Sequence, residues 1–63
     1  MNWSEQIHSL RQKLLITQSE LAKMISVSYV SINRWENGHF EPTMKAKRAL
    51  MKLFVENGIV EDK

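Results

Sequence analysis

Residues Gln18 to Asn37 read QSELAKMISVSYVSINRWEN. Thr17 stands directly before them and forms a Thr-x-x-Glu pattern with Glu20. In that pattern the hydroxyl takes an N–H three residues on and the carboxylate reaches back, which starts a helix. Leu21, Ala22 and Ile25 follow at the spacing of one buried helical face, so this helix is short and ends near Ile25. Ser26-Val27-Ser28 gives a tight connection, and Ser28 caps a further helix from Tyr29 to about Glu36. Asn37-Gly38 ends that helix, because glycine adopts the left-handed conformation freely.

The flanks read the same way. On the N-terminal side, Asn2 and Glu5 make a capping-box arrangement before a helix from about Trp3 to Leu14. Trp3, Ile7, Leu10 and Leu14 form its apolar stripe. On the C-terminal side, Pro42 and Thr43 open a helix that runs to about Glu56 and stops at Asn57-Gly58. Ala46, Ala49, Leu50, Leu53 and Phe54 are its core stripe, with Lys45, Arg48 and Lys52 on the solvated side. No period-2 alternation suggests a strand. The expectation is an all-α, compact bundle of four or five short helices, one domain over residues 1–63.

A chain of 63 residues and 7.4 kDa buries a small core and leaves little room for a deep cleft. There is no cysteine, and His8 and His39 stand alone, so neither a disulfide framework nor a metal site is expected. No cofactor is called for: no Gly-rich phosphate loop or nucleophile–base arrangement suggests an enzyme. No apolar run approaches a membrane span and no basic start precedes an apolar segment, so a cytoplasmic location is expected. The formal charge is +2, unevenly spread. Residues 1–55 hold eight Lys or Arg against four acids, whereas residues 56–63 hold one base and three acids. A basic body suits a phosphate-bearing partner, though weakly by itself.

The helix from Tyr29 has two faces of different chemistry. At about 100° per residue, Ile32 and Trp35 point inward together. Tyr29, Val30, Asn33 and Arg34 point outward together. Asn pairs in bidentate fashion with adenine and Arg with guanine, and Val meets a thymine methyl. An ordinary solvated face more often carries Glu and Lys.

Residues 18–37 resemble the helix-turn-helix of the lambda-repressor-like family, the Cro/XRE type. Such motifs carry apolar residues at the fourth, eighth, tenth, fifteenth and eighteenth places, here Leu21, Ile25, Val27, Ile32 and Trp35. The fifth place is small, here Ala22, because two helices cross closely there. Thr17-Gln18 before the motif, and Trp35-Glu36-Asn37-Gly38 followed by Pro42, are similar too. The ninth place is usually Gly and here is Ser26, which must take a left-handed backbone at modest cost.

The resemblance implies sequence-specific binding of double-stranded DNA by a repressor-like transcriptional regulator, with the third helix in the major groove. Tyr29, Val30, Asn33 and Arg34 become candidates for base edges. Gln18, Ser28, Asn37, Lys45 and Lys47 become candidates for phosphate contact or positioning, with the amides of the Gly38–Thr43 loop. The resemblance also implies that Arg11 on the first helix pairs with Glu36, bracing the third helix and leaving Arg11 near a phosphate. Repressors of this type commonly have a fifth helix supporting dimerisation, whereas only Ile59 to Lys63 follow Gly58. Met44, Met51 and Val55 lie beside the core stripe and, with Ile59 and Val60, offer a self-association surface for a homodimer, or a core edge covered by the tail. No small-molecule ligand is suggested. The competing reading is a protein-interaction module, antitoxin-like or adaptor, on the same fold. It would carry apolar anchors where this chain carries Tyr, Val, Asn and Arg.

Overall fold

Every helix starts at a side chain that closes it. A computed structural model describes residues 2–59 and contains α1 (Trp3–Leu14), α2 (Gln18–Met24), α3 (Tyr29–Glu36) and α4 (Met44–Glu56). Asn2, Thr17, Ser28 and Thr43 precede them with extended backbone. Each accepts a hydrogen bond from the N–H three residues on, at 3.1, 3.1, 3.1 and 3.3 Å respectively. Each such cap is worth about 1 kcal/mol and fixes where the helix begins. Thr17 and Glu20 form the full reciprocal box, the Glu20 carboxylate accepting from the Thr17 N–H at 2.8 Å. At Asn2 and Glu5 only half of the expected box forms, since the exposed Glu5 carboxylate stays in solvent.

The helices also end alike. After each comes a residue with positive φ: Leu15 at 57°, Ser26 at 59°, Gly38 at 79° and Gly58 at 73°. The N–H of that residue bonds the carbonyl three back, and the next N–H reaches the carbonyl five back. Ile16 to Arg11, Val27 to Ala22, His39 to Arg34 and Ile59 to Phe54 are those longer bonds, at 3.1, 2.9, 3.3 and 2.7 Å. This double closure satisfies carbonyls that a helix end leaves bare. At three of the four stops the residue after it, Ile16, Val27 or Ile59, packs against the core. Ser26 holds the left-handed turn expected of it. Leu15 does the same, which sequence reading did not anticipate.

Capped at both ends, the helices turn their apolar faces onto one core. Ile7, Leu10, Leu21, Ala22, Ile25, Ile32, Trp35, Ala46, Leu50 and Phe54 are buried. Trp3, Leu14, Val27, Ala49 and Leu53 close its edges, with the Trp3 and Phe54 ring centroids 6.0 Å apart. Burying each large side chain contributes about 1.5–3 kcal/mol before entropy is counted. α1 packs against α3 and α4, and α2 against α3. Ala22 is buried where α2 meets the turn, and its small side chain permits the close approach. No strand occurs among the described residues, and none of their helices is long and apolar enough to cross a membrane. Val60 and any fifth helix lie outside the described residues.

Candidate nucleic-acid interface

α3 is pinned from behind. Ile32 and Trp35 seat it in the core, and α1 grips its last turn at two points. The Ser4 hydroxyl donates to the Glu36 carbonyl. Two helical turns on, the Arg11 guanidinium clasps the Glu36 carboxylate, Nε–H to Oε2 at 2.5 Å and Nη2–H to Oε1 at 2.8 Å. Arg11 also donates to the Ile16 carbonyl at 3.4 Å, tying the α1–α2 turn into the same knot. The expected Arg11–Glu36 brace is therefore present.

The Glu36 side chain is only 8% exposed. Burial pushes its carboxyl up, but the hydrogen bond and charge of Arg11, with further hydrogen bonding from Gln18 and His8, outweigh this and hold it below the ordinary carboxylate range. The hydrogen bond to Glu36 raises the Arg11 guanidinium in turn, against a smaller opposing effect of burial. Gln18, at the first turn of α2, is half-buried and close enough to Glu36 to influence its carboxyl.

With its back fixed, α3 presents its other face. Tyr29 and Val30 are each 51% exposed, Arg34 is exposed, and Asn33 is half-buried beside them. All four predicted base-edge candidates share this surface. Ser28 is exposed at its head, where its hydroxyl accepts from the Ser31 N–H and lies 3.0 Å from the Ser31 hydroxyl. Asn37 is exposed at the other end, and Lys45 is exposed on the first turn of α4.

Two of the candidate residues have contacts within the chain. Lys47 is not a free cation: its Nζ pairs with Glu41 at 2.9 Å and lies 5.5 Å from the centre of the Trp3 ring. This contact holds Glu41 below its ordinary carboxyl range. Ile59 does not extend an exposed patch, because the closure after α4 folds it against the core. Met44, Met51 and Val55 remain exposed on α4. Sequence reading also passed over Phe40. It is 59% exposed between Gly38 and Pro42, and the Arg34 guanidinium lies 5.5 Å from the centre of its ring. The available signal was a large aromatic residue in a loop otherwise polar or turn-forming.

A protein-family model described as helix-turn-helix matches residues 7–54, from the first buried residue of α1 to the last buried residue of α4. The chain belongs to the helix-turn-helix family. Its helix-turn-helix core is 45% identical over 49 residues to the HTH-type transcriptional regulator DicA of Escherichia coli, covering 78% of this chain and 36% of DicA. It is 44% identical over 48 residues to repressor protein C2 of Salmonella phage P22, covering 76% of this chain and 22% of that protein. The HTH-type transcriptional activator BcrR of Enterococcus faecalis is 33% identical over 54 residues, covering 86% of this chain and 26% of BcrR. The chain thus spans between about a fifth and a little over a third of these relatives. Among solved structures, the DNA-binding domain of the P22 C2 repressor superposes with a TM-score of 0.77 at 32% identity, covering all of this chain and 91% of that one. The match supports the Cro/XRE type of helix-turn-helix indicated by Leu21, Ala22, Ile25, Val27, Ile32 and Trp35.

Proposed function

We propose that this helix-turn-helix chain binds double-stranded DNA sequence-specifically and regulates transcription, with α3 in the major groove. One observation carries the reading. The outward side of α3 gathers Tyr29, Val30, Asn33 and Arg34 on a helix whose inward side and last turn are fixed. Groove readout needs that combination: varied donors and apolar groups for base edges, on a rigid support. The relatives, bacterial and phage regulators by name, support the same reading.

In this reading phosphates are met on both sides of the groove. The free N–H groups at the start of α2, beside Gln18, face one strand, with Arg11 behind them. Ser28, Asn37 and Lys45 flank the reading face. The chain works in the cytoplasm of a prokaryotic cell, where its DNA lies. A homodimer on a two-fold operator fits the exposed Met44, Met51 and Val55 on α4.

The test is selection of the purified protein against a random duplex pool, with the bound fraction sequenced. An enriched inverted repeat with half-sites about one helical turn apart supports a dimeric reader, and one enriched half-site supports a monomeric one. Salt-sensitive bulk binding with no enriched sequence removes the reading and leaves the protein-interaction module.

A further inference from the structure

The two arginines that touch α3 are held in opposite ways. A guanidinium is a flat plate: its faces stack, and its edge carries all five N–H donors. Arg11 presents its edge to Glu36 and spends donors there. Arg34 lies over Phe40 instead, and no acid among the described residues is within ion-pairing distance of it. The ring contact restrains the guanidinium without placing an acid on its donors.

Phe40 is itself placed with care by the chain. Gly38 turns left-handed and donates to the Trp35 carbonyl at 3.1 Å, and the His39 N–H reaches the Arg34 carbonyl at 3.3 Å. Two residues beyond Phe40, Pro42 is buried. The loop is fastened on either side of Phe40, yet its ring stays largely in solvent and out of the core. A large exposed aromatic side chain contributes little to folding there. The Arg34 guanidinium lies against its ring.

We propose that Phe40 is a positioning residue that sets specificity. Its ring pre-orders the Arg34 guanidinium, whose donors no acid among the described residues takes up, so that Arg34 reads a guanine in bidentate fashion. The proposal rests on the major-groove reading of α3. Pre-ordering lowers the conformational cost of binding the one base pair that Arg34 meets, and does nothing for the others.

The experiment compares wild type, Arg34→Ala, Phe40→Leu, Phe40→Tyr and the Phe40→Leu/Arg34→Ala double variant in the same duplex selection, with melting temperature measured for each. Arg34→Ala identifies the base position that relaxes. Phe40→Leu is expected to lower discrimination at that position about two- to fivefold, the worth of an exposed cation–π contact. Other positions should hold, the melting temperature should fall by no more than a few degrees, Phe40→Tyr should preserve discrimination, and Phe40→Leu should add nothing once Arg34 is Ala. The proposal falls if Phe40→Leu weakens all sequences alike, if it leaves that position's preference intact, or if its effect persists without Arg34. It also falls if Arg34→Ala relaxes no position. If wild type enriches no sequence, the DNA reading fails first and takes this proposal with it. If wild type enriches a site that ignores Phe40, only this proposal is lost.

Discussion

On α3, residues one or two positions apart answer to different demands. Ile32 and Trp35 look into the core, where any apolar side chain of the right volume serves and water is excluded. Tyr29, Val30 and Arg34 look out, where the core does not call for them. Swapping the outer set for Glu and Lys would cost the fold almost nothing. The inner face is explained by the protein; the outer face calls for a partner. The two should respond to substitution in opposite currencies, stability on one side and recognition on the other.

The largest effect should come from the inner face. Ile32→Ala removes a fully buried side chain and should lower unfolding free energy by about 2–5 kcal/mol in a denaturant titration. What remains folded should select the same DNA sequence as wild type. A changed base preference would show that the faces are not separable. Next, Arg34→Ala should cost about 1–3 kcal/mol of affinity on the preferred site and relax one base position. Its stability should stay within about 0.5 kcal/mol of wild type. Equal losses on every sequence would make Arg34 a phosphate contact.

Between the faces lies the Arg11–Glu36 brace, which ought to register in both measurements. A double-mutant cycle with Arg11→Ala and Glu36→Gln should give a coupling of about 1–2 kcal/mol in stability. The folded Glu36 carboxyl sits below its ordinary value, so its contribution is complete well above the unfolded value of about 4.3. That contribution is lost as pH falls through the lower folded value. Glu36→Gln should flatten this acid limb of the stability profile. Zero coupling would reduce the brace to two neighbouring charges.

Much of this was legible in the sequence, for a local reason. Caps such as Thr17 and Ser28 act within four residues, so helix starts could be read from spacing. The two faces of α3 follow from its period alone. The Arg11–Glu36 brace was anticipated by resemblance, since nothing local links residues on different helices. What escaped depends on where loops travel. Lys47 meets Glu41 and Trp3 only because the α3–α4 loop returns past α1. Phe40 meets Arg34 only because the Gly38 turn folds that loop back along α3. Leu15 was hidden differently: it occupies a left-handed position that composition would assign to glycine or asparagine.

Leu15 supplies the smallest effect and the cleanest control. It is 89% exposed at φ 57°, so its side chain contributes almost no burial while its Cβ strains the backbone. The left-handed conformation costs an ordinary residue about 1–2 kcal/mol. Glycine removes that strain but gives the unfolded chain more freedom, which offsets part of the gain. Leu15→Gly should therefore stabilise the protein by about 0.5–1 kcal/mol in thermal or denaturant unfolding. The same closing hydrogen bonds to Gln12 and Arg11 remain available to it. Gly38→Ala runs the comparison in reverse: nothing lies near the added Cβ, so strain alone should lower stability by about 1 kcal/mol. Leu15 touches neither face of α3, so a more stable Leu15→Gly protein should select the same DNA sequence with the same preference. If recognition shifted along with stability, the outer face would be reporting how firmly the whole bundle is held. Unchanged recognition in a more stable bundle leaves the side chains of that face as the source of the preference.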